Sequence, residues 1–541
     1  MEVRPEDAAK SNVQSPREAP NLQPLRRIFS FATILAIGFV LGRISGLLRE
    51  MIVSAAFGLS AELDAYFLAL VVPTIINNIV AGSAISVAAV PVFSRYLAHG
   101  DRAEFWRVAS IITNFILLVT GGLTILGMLL AAPIIAILGM GLAPATQTLA
   151  TSMLVIMMPI LFLSAFLNML LAILNALDRF WAPALVFLAV NVGIISAVVV
   201  LAPFIGVYAV AWGFLIGVAL QVAIQLIALR REQPQYHWQI DLRHPAVREV
   251  ALAFVPVTAL SFVTQINYSV DKAMAGTLAA GSISALNYAD TIVATFYMLG
   301  ISLSVAVFPS LSRMVAIHDH ESTTRTVVAS LRMLIFILAP LTFLLISFAA
   351  PTIGLIFGRG KFDANDVTMT AQALAMYAIG LIAAAATYVL QRIFYALRDN
   401  ITPFVVGALT VAVHLALNWV LMRDLAHAGI ALSTSLTTIT SALVLTFLLA
   451  RQVRGLELKT LMTFLIRCIM LAVLSTLPVA WFFSQMQLGS ETLNARVIGV
   501  AFGALGGAIY LALAFVTRTP EPHMLFDYAR GLLQKFAIRN S

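Results

Sequence analysis

Charge is scarce in this chain, and so is cysteine. Only 11% of its 541 residues are Asp, Glu, Lys or Arg, against about a quarter in soluble domains. That shortage excludes a soluble globular protein and a disordered chain. The single cysteine, Cys468, excludes a disulfide scaffold, a cysteine-rich metal site and a redox pair. No Walker-type phosphate loop is present, so ATP is not the direct energy source and no nucleotide cofactor is expected. No connection is long enough for an extramembrane domain; the longest runs over 230–246. Membrane glycosyltransferases and polymerases need carboxylates and usually such a domain. No catalytic constellation appears, and the chain reads as a protein that is not an enzyme. No pore-loop segment interrupts the apolar runs as a channel filter would. A secretory leader is absent too: residues 1–27 are polar, mixed in charge, and read as a disordered cytoplasmic tail.

What is present is apolar. Hydrophobic residues make up 61% of the chain, and mean hydropathy is +0.96. A helical span needs about 20 such residues. Fourteen runs qualify: 28–57, 64–94, 107–132, 146–175, 183–202, 208–229, 247–275, 284–312, 326–350, 368–396, 402–421, 428–450, 460–483 and 496–517. Pro73 and Pro91 interrupt the second, which membrane helices tolerate where neighbours satisfy the freed carbonyls. The net charge of +8 comes from scattered loop residues, with no basic groove for nucleic acid. With the N-terminus inside, 23 Lys/Arg fall in cytoplasmic segments and 3 on the opposite side. That bias puts both termini in the cytoplasm.

The chain repeats itself. Leu130-Ala131-Ala132-Pro133-Ile134 recurs as Phe348-Ala349-Ala350-Pro351-Thr352, and Pro91-Val92-Phe93-Ser94-Arg95 as Pro309-Ser310-Leu311-Ser312-Arg313, both at an offset of 218. Ala176-Leu177 and Pro183 match Ala396-Leu397 and Pro403 at 220. Six spans per repeat give both copies one topology, related by an axis along the membrane normal. The expected fold is an all-α polytopic membrane protein of about fourteen helices. Two parallel six-helix lobes, 28–229 and 247–450, would face a central cavity. Helices 13 and 14 (460–517) would follow, then a cytoplasmic tail (518–541) whose residues 524–537 read as an amphipathic interfacial helix.

Charges inside spans are expensive and tend to face a cavity or a partner. The first span holds Arg43, Arg49 and Glu50, with Arg43 and Glu50 about 20° apart on one helical stripe. Gly38, Gly42 and Gly46 form a small-residue row that admits a close neighbour. Asp64 opens the second span and is a candidate partner for Arg49. The arginines suit an anionic, phosphate-bearing substrate, because a guanidinium presents a planar fork of donors. Asp290 in span 8 is a further candidate for the cavity wall. Asp271-Lys272 reads as interfacial, Arg392 as a snorkelling side chain, and His414 as a hydrogen-bonded bundle residue rather than a proton carrier. His318-Asp319-His320-Glu321 lacks a fixed fourth ligand and reads as solvated loop, so no metal site is expected.

The segment Arg43-Ile44-Ser45-Gly46-Leu47-Leu48-Arg49-Glu50, with Phe57-Gly58 and Asp64-Ala65-Tyr66-Phe67, resembles the N-terminal signature of the MurJ/MviN family. Gly281 to Asp290, Phe308 to Arg313, Gly360-Lys361-Phe362 and Tyr395 to Asp399 resemble its second half. The resemblance covers about 28–517. It implies a fourteen-helix flippase of the bacterial inner membrane that carries lipid II, the undecaprenyl-diphosphate-linked peptidoglycan precursor, by alternating access. Helices 13 and 14 would form a groove for the lipid tail. Arg43, Arg49 and Asp64 then fall on cavity positions important in the family. The chain departs from the pattern at Asn77 and Thr291, where a basic residue is frequent, and near Gly82, where an acidic one is. The headgroup is thus left to Arg43 and Arg49, with Asn77, Asp271, Lys272 and Arg392 as secondary candidates. Energy would come from membrane potential or a monovalent cation, and the working unit would be a monomer among membrane lipids. An exporter of another polyprenyl-diphosphate-linked oligosaccharide remains open. A cation-coupled drug antiporter would want acidic cavity residues without paired arginines.

Overall fold

The computed structural model describes residues 23–78, 83–179, 181–241, 243–453, 455–486, 492–519 and 521–522. Every regular element among them is a helix. The first, α1 (Gln23–Phe57), starts before the apolar run does, so residues 23–27 of the expected tail are already helical. Residues 1–22, Gly82 and the amphipathic helix expected at 524–537 lie outside the described residues. The second span is broken into α2 (Ala61–Ile76) and α3 (Ser83–Ala98). The break follows Pro73: the Asn77 N–H donates to the Pro73 and Thr74 carbonyls in a widened last turn.

The first lobe continues through α4 (Arg102–Leu129), α5 (Ala131–Leu138), α6 (Pro144–Met157), α7 (Pro159–Ala176), α8 (Trp181–Ala184), α9 (Val186–Ile205) and α10 (Tyr208–Arg230). The second runs through α11 (Pro245–Ala275), α12 (Ser282–Ala316), α13 (His320–Ser347), α14 (Ala349–Ile356), α15 (Ala364–Ile379), α16 (Leu381–Ala396) and α17 (Ile401–Gln452). The 52 residues of α17 would span about 78 Å if straight, more than twice the roughly 30 Å of hydrocarbon. Instead the helix doubles back at Ala426 (φ 48, ψ −130). The Ser433 hydroxyl on the returning arm donates to the His414 carbonyl on the outgoing one, 3.1 Å away.

By length and apolarity nine helices among the described residues can cross a membrane, or ten if α15 and α16, bent by 45°, count as one span. The expected fourteen exceeds that count partly because α17 is scored once while carrying two arms.

The repeat extends to the backbone. Helices α4 and α13 start at 102 and 320, and α5 and α14 at 131 and 349, each pair 218 apart. Left-handed turns recur at Gly100 and His318, Asp178 and Arg398, and Gly206 and Ala426, at offsets of 218, 220 and 220. Each of α4 and α13 is capped by an aspartate: Asp101 accepts from the Glu104 N–H, and Asp319 from the Ser322 N–H. That bond to the Ser322 backbone holds the Asp319 carboxyl below the usual carboxylate range. The His318–Glu321 loop is thus a helix start, and no acid, histidine or cysteine cluster among the described residues could hold a metal ion.

One buried core runs through both lobes, from Leu63, Leu154 and Ile194 to Leu286, Ile353 and Leu390. The glycine row of α1 lies against α8 and α9: a Cβ on Gly38 would sit 2.5 Å from the Ala184 carbonyl, and one on Gly42 2.5 Å from the Phe187 Cβ. A Gly42→Leu variant is therefore expected to lose about 1–3 kcal/mol by overpacking, read as a lower unfolding temperature in detergent. An unchanged temperature would mean that α1 and α9 can separate freely. Helices α18 (Leu458–Gln485) and α19 (Leu493–Val516) follow the repeat. They pack on the second lobe, where the Tyr510 hydroxyl donates to the Phe336 carbonyl at 3.0 Å and Arg496 to the Gly354 carbonyl at 3.1 Å.

Candidate functional site

A cavity of about 180 Å³ lies between the lobes, walled by Arg49, Glu50, Tyr66 and Phe67 from α1 and α2, Ile194 and Phe214 from α9 and α10, and Asn287 and Thr291 from α12. Arg49 pairs with Glu50, which is 5% exposed. Its second anchor is Asn191, whose side-chain oxygen accepts from Arg49 Nη1 at 3.2 Å. The Asn191 amide donates in turn to the Gly42 carbonyl, the Ser45 hydroxyl and the Phe187 carbonyl. Asn191 thus fixes a cation in an apolar interior, and Gly46 leaves the space it occupies. Sequence reading missed it: one asparagine in an apolar run looks like any other bundle residue until α1 and α9 are laid together. Arg43 is exposed and reaches across to the Met298 sulfur of α12. The stripe shared by Arg43 and Glu50 therefore does not unite them; the pair that forms is Arg49–Glu50.

Asp64 goes elsewhere than to Arg49. It is 2% exposed and caps α12 from the opposite lobe. One carboxylate oxygen accepts from the Gly281 N–H at 2.6 Å, and the other from the Ser284 N–H at 2.8 Å and the Ser284 hydroxyl at 2.6 Å. The free N–H groups and positive dipole end of a helix start are where an anion is most stabilised. A reciprocal contact runs back: the Leu59 N–H donates to Asp366 Oδ2 at 2.9 Å, and the Lys361 N–H to the Ala55 carbonyl at 2.9 Å. Gly360, at φ 63, permits this approach, since a Cβ there would lie 2.2 Å from the Ala55 oxygen. Beneath the latch, Tyr288 packs among Phe67, Phe357 and Phe362 at centroid distances of 6.0, 4.9 and 5.9 Å. This end of the bundle is closed by buried, charge-assisted bonds. At the other end two ion pairs among the described residues join the lobes, Arg95–Glu249 at 2.5 Å, half exposed on both sides, and His244–Glu104 at 3.1 Å. Exposed pairs contribute at most about 1 kcal/mol, and at this end Ala246, Val247 and Val250 of α11 are also buried in one apolar cluster with Val92 of α3 and Phe105 of α4.

Asp271 and Lys272 are interior, which corrects the interfacial reading. They point different ways. Lys272 is 4% exposed, lies over the Phe67 ring at 5.6 Å, and interacts electrostatically with Asp290, Asp64, Asp271 and Glu50. It lies behind Phe67, whose ring is on the cavity wall. Asp271 faces α17, where His414 Nε2 and the Asn418 amide both contact its Oδ1 at 2.7 Å. Asp290 is exposed on α12, where it interacts electrostatically with Lys272 and Asp271. Arg392 stacks on Phe308 at 5.7 Å rather than joining the Arg49 cluster. Asn77 sits at the α2 break, with its side-chain oxygen buried and unpartnered among the described residues. Thr291 lines the cavity and bonds back to the Asn287 carbonyl. The cavity has room for on the order of ten waters. A sugar-bearing headgroup would enter only after the lobes part.

Comparison with known proteins gives the same architecture. The family model described as "Lipid II flippase MurJ" matches residues 53–497. The lipid II flippase MurJ of Burkholderia cenocepacia is 30% identical over 426 residues, covering 77% of this chain and 83% of that protein. The probable lipid II flippase MurJ of Vibrio cholerae is 26% identical over 507 residues, covering 90% and 96%. Among solved structures, a lipid II flippase MurJ in an inward closed conformation superposes with a TM-score of 0.74 at 25% identity, covering 90% of this chain and 99% of that one. An inward-facing multidrug transporter of the MATE family superposes at 0.62 with 16% identity, covering 77% and 95%, a likeness of fold alone.

Proposed function

The chain belongs to the lipid II flippase MurJ family, and from that premise we propose that it moves lipid II from the inner to the outer leaflet of the bacterial cytoplasmic membrane. It acts as a transporter and not as an enzyme. The observation that carries this reading is Arg49, a guanidinium held by Glu50 and Asn191 on the wall of the cavity between the lobes. With both termini in the cytoplasm, as the basic loops argue, the Asp64–α12 latch is the outer gate.

The cycle follows from the charges. When the lobes part on the cytoplasmic side, the diphosphate of the substrate meets Arg43 and Arg49. Arg49 exchanges its bond to Glu50 for a bidentate bond to phosphate. Lys272, buried behind Phe67, adds positive charge next to that wall. A multiply charged headgroup would be costly in hydrocarbon, and a hydrated cationic cavity removes most of that cost. The polyprenyl tail stays in lipid, beside α18 and α19. Release outside requires Asp64 and Asp366 to let go. No nucleotide takes part; membrane potential or a monovalent cation supplies the energy, and one chain is the working unit.

The direct test is reconstitution of the full chain in liposomes with labelled lipid II, scoring exposure of the headgroup on the far leaflet. Movement above protein-free vesicles is expected. A correctly inserted protein that moves no lipid II would overturn the assignment. Asn191→Ala is expected to slow movement by at least about tenfold, the worth of one hydrogen bond to a charged group, while the protein still inserts. Wild-type rates in that variant would show that Arg49 needs no second anchor.

A further inference from the structure

We propose that Tyr297 and Tyr388, together with Asp290, form a sugar-binding platform in the second lobe that holds the first sugar ring of the cargo's headgroup; this deepens the flippase reading above and rests on it. The two tyrosine rings stack across the contact between α12 and α16, with centroids 5.9 Å apart and planes 28° from parallel. Tyr388 is 38% exposed. Asp290 is exposed on the same face of α12 as Tyr297, two helical turns before it. Its charge acts on both tyrosines. The carboxylate and the two phenol hydroxyls make no hydrogen bond among the described residues.

Packing does not explain the group. Rings kept only to fill a helix seam would be buried and need no hydroxyl, as Phe357 and Phe362 are around Tyr288. Nor does the duplication of the chain explain it. At the equivalent positions of the first lobe, at offsets of 218, 218 and 220, stand Val72, Ile79 and Asn168. An exposed ring beside unused hydrogen-bonding groups suits a ligand that is apolar on one face and polar at its edge. A pyranose is such a ligand. Its axial C–H groups carry the slight positive charge that the negative face of an aromatic ring attracts. Its hydroxyl and amide groups lose water when it docks, and a carboxylate with two phenol hydroxyls replaces those bonds.

The platform stands where that ring must fall. Arg43 crosses from α1 to Met298, the next residue after Tyr297, and its charge acts on Tyr297. The first sugar is bonded directly to the diphosphate, so a phosphate on Arg43 brings that sugar against Tyr297 and its stacked partner. Thr291, which lines the closed cavity, lies on the same helix two turns before Met298, towards the Asp64 latch. The headgroup thus lies along α12, with its diphosphate on the arginines of the first lobe and its sugar on the tyrosines of the second. The arginines alone bind any polyprenyl diphosphate; the platform separates the lipid that carries a sugar from the bare one.

Binding of lipid II and of undecaprenyl diphosphate to the detergent-purified full chain tests this, because the second probe lacks the sugar. Tyr388→Leu should weaken lipid II binding by about tenfold, the contribution of one aromatic contact, and leave undecaprenyl diphosphate unchanged. Tyr388→Phe keeps the ring and should lose less than Tyr388→Leu. Arg49→Ala should weaken both lipids alike. Equal weakening of both lipids in Tyr388→Leu, or of neither, would overturn the platform, and so would a loss in Tyr388→Phe as large as that in Tyr388→Leu. Should Tyr388→Leu fail to insert, Asp290→Asn takes its place, since it keeps an acceptor but gives up the charge. The ratio of lipid II to undecaprenyl diphosphate affinity should then fall by about tenfold, and an unchanged ratio would overturn the proposal. The flippase reading is scored apart from this: the expected binding pattern with no lipid II movement in liposomes would remove that reading and leave the platform standing.

Discussion

Arg49→Ala is expected to reduce lipid II movement by at least about 100-fold, the loss of two charge-assisted bonds to phosphate at about 1.5–3 kcal/mol each. It should also destabilise the protein. Glu50 is buried and paired with Arg49, and removing one partner of a buried pair costs about 3–5 kcal/mol because the other charge is stranded. The two losses separate in the double variant Arg49→Ala/Glu50→Gln. There the stranded charge is gone, so the unfolding temperature in detergent should recover towards wild type while transport stays absent. Transport restored together with stability would make Arg49 a structural residue and would move the phosphate site elsewhere, to Arg43 and Lys272.

Asp64→Ala should open the outer side. The aspartate accepts three hydrogen bonds at the start of α12, from Gly281, from the Ser284 N–H and from the Ser284 hydroxyl. All three cross from one lobe to the other. Removing it leaves two helix-start N–H groups and a hydroxyl unpaired in the closed state. At about 3 kcal/mol, within what capping and charged hydrogen bonds contribute, the closed population falls by about 100-fold relative to the open one. The readout is a cysteine at Val53, which is 3% exposed and lines the cavity, placed in a Cys468→Ser background. An impermeant maleimide added outside should label it at least about tenfold faster in Asp64→Ala. Asp64→Asn keeps one acceptor and should fall between. Asp366→Ala removes a single bond to the Leu59 N–H and leaves the Asp363 cap of α15 in place, and should have the smaller effect. Unchanged labelling with a lower unfolding temperature would show that Asp64 braces the fold without gating it.

Much of this was legible in the residues. A charge in hydrocarbon is costly wherever its span happens to pack, so Arg43, Arg49, Glu50 and Asp290 declared themselves against an apolar background. Hydropathy gave the helical membrane fold, and Pro91 with Pro309 gave the 218-residue offset that the helix starts share. Gly38 and Gly42 announced a close helix contact before the partner was known. These are local quantities: each depends on a residue and the span around it.

The tertiary structure alone decided which groups meet. Asp64 joins residues 217 and 220 positions away, Asp271 joins His414 at 143, and Arg49 joins Asn191 at 142. Sequence proximity favoured Arg49 for Asp64 and an interfacial place for Asp271. Helix packing sent Asp64 to the unpaired N–H groups of α12 and Asp271 to the α17 hairpin. The reason is that a lone charge fixes only the need for a partner, whereas its identity depends on which helix faces the lobes bring together.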